Sequence, residues 1–167
     1  GIGVLTSLQD MPDQVTPASE NKIPVEQIMF NPNNFFGIRD IETLAKSIKE
    51  HGLIHPIAVT EYNDPDGKFK YKLISGERRL RATIHNGDKE IKAEIIKVTD
   101  DLDERTKLII TNTQARELND MEKSKAVNEM YAIVEERRGR GEDFGGKKTR
   151  EIVSELLGEI GIDIQPA

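Results

Sequence analysis

One stretch of the sequence predicts both a strand and the helix after it: Lys72-Leu73-Ile74-Ser75-Gly76-Glu77-Arg78-Arg79-Leu80-Arg81-Ala82. Up to Ser75, aromatic and branched side chains alternate with others, as is typical of a strand. Gly76 breaks that strand, and Leu80 and Ile84 then recur four apart, as on one face of a helix. A helix start leaves N–H groups unpaired at the positive end of the helix dipole. The junction therefore predicts a site for an anion, and above all for a phosphate.

Three arginines crowd the first turns of this predicted helix: Arg78, Arg79 and Arg81. Arg78 and Arg81 lie about one turn apart, so they can share a ligand. Guanidinium groups match the geometry of phosphate. The structural alternative is a glycine turn followed by a solvated arginine face, because a glycine between strand and helix is common by itself. The crowding of arginines at one helix start favours the anion site.

Composition narrows the class of protein. The chain has 167 residues, of which 36% are hydrophobic and 32% charged, enough for one compact core and a satellite subdomain. The absence of cysteine excludes disulfides, zinc-thiolate sites and thiol catalysis. A net charge of −6 argues against a free-standing DNA-binding domain but leaves a local basic patch open. With no membrane-spanning run and no secretory signal, we expect a cytoplasmic protein, and with no initial Met a trimmed part of a longer one.

The chain divides into three predicted segments of an α+β protein. Residues 1–21 mix Gly, Pro, Ser and Asp without periodicity and predict a flexible arm. Residues 22–100 predict a small α/β body, in which Asp40 caps a helix that ends at Gly52. Residues 101–167 predict a helical subdomain that leads into a truncated helix-turn-helix.

The helical segment carries one strong cap signal and one basic connector. Asn119, with Glu122 three residues later, predicts a capping box for a helix that runs to about Glu136. The glycine-rich run Arg137–Lys148 predicts a flexible, solvated hinge, with contact to a phosphate backbone as the functional alternative. Thr149 is the predicted cap of a last amphipathic helix.

Three sequence boxes, taken in order, resemble the ParB family of plasmid and chromosome partition proteins. They are Gly52-Leu53-Ile54-His55-Pro56-Ile57, then Ile74 to Ala82 with its Gly-Glu-Arg-Arg-x-Arg-Ala element, then Asn112-Thr113-Gln114 before a capped helix. The resemblance covers residues 23–157. It implies a ParB/sulfiredoxin-like body that binds CTP with Mg²⁺. It also implies a central helix-turn-helix domain that recognises a centromere-like DNA site, and a C-terminal dimerisation domain. In such a protein CTP closes a clamp over DNA, and slow hydrolysis reopens it.

The resemblance also implies site residues and partners. The triphosphate would lie at the start of the helix, the nucleoside would approach the first box, and Asn112 would sit near the metal. DNA would be contacted at the start of the final helix. The implied partners besides DNA are a second copy of the chain and a ParA-type ATPase, with a location on the nucleoid or a plasmid. The implied nucleotide-binding residues are Gly52, His55, Pro56, Ser75, Gly76, Glu77, Arg78, Arg79, Arg81 and Asn112, and the implied DNA-binding residues are Lys147, Lys148 and Arg150.

Two departures from the family pattern leave alternatives open. The third box usually begins Glu-Asn, but Thr111 stands in place of that carboxylate, which weakens the expectation of a slow CTPase. The usual Gln-Pro-Arg after Asn-Pro is also missing, with Asn33-Asn34-Phe35-Phe36 in its place. A small-molecule kinase of the same fold would need an acidic base that we do not identify, and sulfiredoxin chemistry would need a cysteine. A nuclease would need a carboxylate cluster. A degenerate adaptor without nucleotide hydrolysis is the remaining alternative.

Overall fold

The computed structural model describes residues 21–164, except for the side chain of Ala115. The predicted arm therefore lies outside the described residues, apart from Asn21. The chain forms two compact units, and the boundary between them falls between Thr99 and Asp100.

The first unit is a five-stranded mixed sheet with two α-helices and a short 3-10 turn. The elements are β1 Asn21–Pro24, the 3-10 turn Val25–Gln27, β2 Ile28–Met29, α1 Ile41–His51, β3 Ile57–Glu61, β4 Tyr71–Ser75, α2 Glu77–His85 and β5 Glu90–Ile95. The strand order is β1-β5-β3-β4-β2. The central strand β3 runs antiparallel to β4 and parallel to β5. The edge strand β1 pairs antiparallel to β5, and the edge strand β2 pairs parallel to β4.

The core of this unit places α2 against the centre of the sheet. Ile57 and Val59 of β3 and Leu80 of α2 are fully buried in one aliphatic cluster. Val59 pairs with Leu73 on one side and Ile95 on the other, so the central strand supplies the middle of the core. Burying each such side chain stabilises the fold by roughly 1.5–3 kcal/mol. This packing holds the start of α2 at the end of β4.

The predicted cap of α1 is confirmed. Asp40 precedes the helix, and its carboxylate accepts a hydrogen bond from the N–H of Thr43 at 3.4 Å. Gly52 ends the helix with φ +77°, where its N–H bonds to the carbonyl of Ile48 at 2.8 Å. The side chain of Asn86, just after α2, donates to the carbonyl of Ala45 in α1 at 2.8 Å. That bond ties the two helices of this unit to each other.

The second unit is helical. Its helices are α3 Asp101–Ala115, α4 Asp120–Gly139 and α5 Thr149–Glu159. The predicted capping box is confirmed, because Asn119 Oδ1 accepts from the N–H of Glu122 at 2.8 Å and Glu122 accepts from the N–H of Asn119 at 3.2 Å. Met130 and Ile133 of α4 and Leu157 of α5 are buried within this unit. None of the helices in residues 21–164 is long and apolar enough to cross a membrane.

The predicted solvated hinge is wrong for its first part. The helix α4 runs on to Gly139, and Arg137 is only 7% exposed. Its guanidinium pairs with Glu142 at 3.3 Å, and the guanidinium of Arg138 lies 5.2 Å from the ring of the buried Phe144. The composition of this run suggested solvation, but the turn folds back so that a carboxylate and a ring cover the two arginines. At the far end, Lys148 is the N-cap and Thr149 is the first residue of α5, so the helix begins one residue earlier than predicted.

Candidate functional site

Gly76 forms a tight junction between β4 and α2, as the sequence predicts. Its φ of +100° is a conformation that residues with side chains rarely adopt. A Cβ at this position would lie 2.7 Å from Cγ2 of the buried Ile57 and 3.0 Å from Nη2 of Arg79. The junction therefore requires glycine for its backbone conformation and for its close packing.

The start of α2 presents backbone donors next to this glycine. The first helical hydrogen bond runs from the N–H of Leu80 to the carbonyl of Gly76 at 2.9 Å. The N–H groups of residues 77–79 precede that bond, at the positive end of the helix dipole. Ser75, the last residue of β4, is buried and directly precedes Gly76. This local geometry is suited to an anion.

Arg79 joins the first and second sequence boxes. Its Nη1 donates to the carbonyl oxygens of His55 at 3.0 Å and Pro56 at 2.6 Å. Burial lowers the pKa of Arg79, an effect that the carboxylate of Glu94 opposes. An arginine starts from so high a pKa that the guanidinium stays charged. Arg79 thus anchors the loop after Gly52, and the structure brings two of the three predicted boxes together.

The guanidinium of Arg78 is bonded to the backbone through Nε. Its Nε donates to the backbone carbonyl of Arg39 at 2.7 Å. Arg39 precedes Asp40, the one described non-glycine residue with a positive φ, at 51°. Among the hydrogen bonds found for residues 21–164, Nε is the atom that Arg78 uses. Its two terminal nitrogens are therefore the groups that can meet a phosphate.

Arg81 contacts two side chains of the protein itself. It pairs with Oε1 of Glu77 at 3.0 Å, and its guanidinium lies 4.5 Å from the ring of Phe30. The other carboxylate oxygen of Glu77 accepts from the side-chain amide of Asn34. Arg78 and Arg81 hence hold different partners. The sequence did not predict these roles of Asn34 and Phe30; Asn34 was noted only as part of a departure from the family pattern.

The loop between α1 and β3 carries the remaining predicted nucleoside-side residues. It begins at Gly52, and its His55 and Pro56 carbonyls are the acceptors of Arg79. Ile54, just before His55, is 76% exposed, the highest value among the large apolar side chains of the described residues. The loop is therefore anchored by its backbone and presents an apolar side chain to solvent.

The third box lies in α3, in the second unit. Thr111, Asn112 and Thr113 each donate a side-chain hydrogen bond to the carbonyl four residues earlier, at 2.7, 2.7 and 2.8 Å. The amide nitrogen of Asn112 is the donor in its bond. Within residues 21–164, no three His, Cys, Asp or Glu side chains are grouped to hold a metal.

The predicted DNA-binding residues lie at the start of α5. Lys147 pairs with Glu155 at 2.9 Å, and Lys147, Lys148 and Arg150 are all exposed. Residues 100–167 carry eleven Lys and Arg against sixteen Asp and Glu. The segment is therefore acidic overall, although these three cations lie close together in sequence.

Comparison with known proteins identifies the family. The family model described as the ParB N-terminal domain matches residues 9–113. A nucleoid occlusion protein from Bacillus mycoides is 35% identical over 152 residues, which cover 81% of this chain and 51% of that protein. The chain thus spans about half the length of this relative.

Solved structures agree on the fold. A pNOB8-like ParB N-domain has a TM-score of 0.60 at 20% identity, covering 83% of this chain and 61% of that one. The C-terminally truncated ParB of Caulobacter crescentus, complexed to the centromeric parS site, has a TM-score of 0.52 at 24% identity, covering 84% and 67%. The predicted α+β class with a ParB-like body is confirmed. The chain belongs to the ParB N-terminal domain family.

Proposed function

We propose that this chain is the nucleotide-binding part of a ParB-like, CTP-dependent DNA clamp. The observation that carries the proposal is the junction at Gly76, where backbone donors and Arg78 adjoin a loop that Arg79 anchors. Membership of the ParB N-terminal domain family supports the same conclusion.

The triphosphate is the part of the ligand that the junction fits best. Donors from backbone and guanidinium to a phosphate are charge-assisted hydrogen bonds, each worth about 1.5–3 kcal/mol. The N–H groups of residues 77–79 and the terminal nitrogens of Arg78 offer such donors. The nucleoside would meet the loop of Gly52, His55 and Pro56, where the exposed Ile54 supplies an apolar surface for a base.

We expect a magnesium ion to be carried in by the nucleotide. Mg²⁺ keeps several waters and is bound largely through substrate phosphates. When bound, the ion would neutralise phosphate charge. Thr111 offers a hydroxyl that donates to its own helix, where the family has a carboxylate, so we expect hydrolysis to be slow or absent.

DNA is the proposed partner of the complete protein. The relative from Bacillus mycoides is named a nucleoid occlusion protein, which favours association with chromosomal or plasmid DNA. We assign contact with the DNA backbone to Lys147, Lys148 and Arg150, because these cations are exposed around the start of α5. Lys147 would exchange its pairing with Glu155 for a phosphate. Nucleotide binding is expected to favour a dimer, and a ParA-type ATPase is the proposed further partner.

Calorimetry with CTP, ATP and GTP in the presence of Mg²⁺ tests the proposal. We expect binding of CTP, and a loss of at least about tenfold in affinity for Arg78→Ala, since one or two charge-assisted bonds disappear. Lys46→Ala removes an exposed cation from α1 and is the matched control. Sedimentation with and without CTP measures the dimer. Absence of binding to any of the three nucleotides would overturn the proposal.

A further inference from the structure

Asn34 connects the segment after β2 to the start of α2. Its side-chain oxygen accepts from the N–H of Phe36 at 3.1 Å, and its side-chain nitrogen donates to Oε2 of Glu77. These two bonds decide the orientation of the amide, because a carboxylate oxygen can only accept and an N–H can only donate. The segment itself is held by a turn in which the N–H of Asn34 bonds to the carbonyl of Asn31 at 3.1 Å.

Both carboxylate oxygens of Glu77 consequently accept a hydrogen bond. Its Oε1 accepts from Nη2 of Arg81 at 3.0 Å and its Oε2 accepts from Asn34. The Glu77 side chain is only 13% exposed. Arg81 in turn lies over the ring of Phe30, which packs against the core of the sheet. The carboxylate of the first residue of α2 is thus bonded at both oxygens, by an amide and by a guanidinium.

We propose that Asn34 is a positioning residue for the nucleotide site: it holds the Glu77 carboxylate against Arg81, so that the helix start can accept a triphosphate. This inference rests on the proposed function. A carboxylate at this place would repel phosphate if it turned toward the donors of residues 77–79. The amide of Asn34 prevents that turn without adding charge. Asn34 lies 43 residues before Glu77 in sequence, so it holds the glutamate from outside helix α2.

An exchange of the two functional groups gives a sharp test. Asn34→Asp places two carboxylates in contact and removes the donor, so Glu77 loses one of its two partners. Adding Glu77→Gln restores a donor–acceptor pair with its direction reversed, because the Gln amide can donate to the new carboxylate while its oxygen still accepts from Arg81. The double variant also has the same net charge as the wild-type protein. Asn33→Asp adds the same charge one residue earlier, at an exposed side chain, and is the matched control.

The measurement is CTP affinity by calorimetry with Mg²⁺, together with the unfolding midpoint of each variant. We expect Asn34→Asp to weaken binding by about tenfold or more, Asn33→Asp by less than about threefold, and the double variant to recover to within about threefold of wild type. Binding is measured well below the unfolding midpoint of every variant.

Three results would overturn the inference. One is a lower midpoint for Asn34→Asp with unchanged affinity, which would make Asn34 a structural residue only. Another is an equal loss of affinity for Asn33→Asp, which would make the effect one of net charge. The third is a failure of the double variant to recover affinity. A wild-type protein that binds no triphosphate would instead overturn the proposed function, and this inference with it.

Discussion

Replacing Gly76 with alanine tests whether the junction between β4 and α2 depends on the absence of a side chain. The substitution adds a single methyl group at a residue with φ +100°. That methyl group would lie 2.7 Å from Cγ2 of Ile57, a side chain with no exposed surface in the middle of the core. Two separate costs follow from these two facts.

The expected loss of stability is the sum of the two costs less one gain. A residue with a Cβ in the left-handed region costs roughly 1–2 kcal/mol. Forcing an extra carbon into a packed core costs typically about 1–3 kcal/mol. Alanine restricts the unfolded chain, which returns about 0.4–1 kcal/mol. We therefore expect Gly76→Ala to lower the free energy of unfolding by about 2–4 kcal/mol, a large share of the roughly 5–15 kcal/mol of a typical domain.

Gly87 provides the matched control for this experiment. Its φ is +77°, but a Cβ there would have no atom within 4 Å. Gly87→Ala should consequently cost only the backbone strain, about 1 kcal/mol after the unfolded-state gain. Urea denaturation of both variants isolates the contact with Ile57 as their difference. A loss for Gly76→Ala that is no larger than the loss for Gly87→Ala would refute the packing argument.

Three further predictions concern charged groups. Arg79→Lys should weaken CTP binding and lower the thermal midpoint together, because an ammonium is a more strongly hydrated point charge on a flexible stem and replaces the planar guanidinium poorly at this largely buried place; a full-affinity variant would contradict the anchoring role. Glu142→Gln should cost about 3 kcal/mol in urea denaturation by leaving Arg137 buried without a counter-charge, and a loss under about 1 kcal/mol would contradict it. The guanidinium of Arg140 lowers the pKa of Asp101 to about 2. The stability from that pair should be present above the ordinary Asp pKa and lost as pH falls toward 2, so thermal midpoints of wild type and Asp101→Asn should converge at acid pH and not at neutral pH.

The sequence was sufficient to predict those helix starts that depend on residues a few positions apart. Gly76 between β4 and α2, and the capping box of Asn119 with Glu122, both act within one helical turn. Each could therefore be recognised from the local sequence. The ParB likeness added the order of the boxes, which local patterns cannot supply.

Long-range contacts account for what the sequence did not reveal. The bond between Asn34 and Glu77 spans 43 residues, and nothing in either local segment indicates it. The run after Arg137 has the composition of a solvated linker, yet Glu142 and Phe144 return to cover its arginines. Composition describes how a segment behaves alone, whereas burial depends on what the rest of the unit places against it.

The three arginines of α2 also show the difference between what the sequence predicts and what long-range contacts determine. Counted from the sequence, all three contribute positive charge for a phosphate. In the structure Nη1 of Arg79 donates to two backbone carbonyls, and Arg81 pairs with the carboxylate of Glu77. The positive charge at the junction that is not paired with Glu77 therefore comes from Arg78, Arg79 and the helix dipole. Because Arg79 and Arg81 hold the loop and the carboxylate in place, the effect of these contacts on binding would be to prepare the site before the anion arrives.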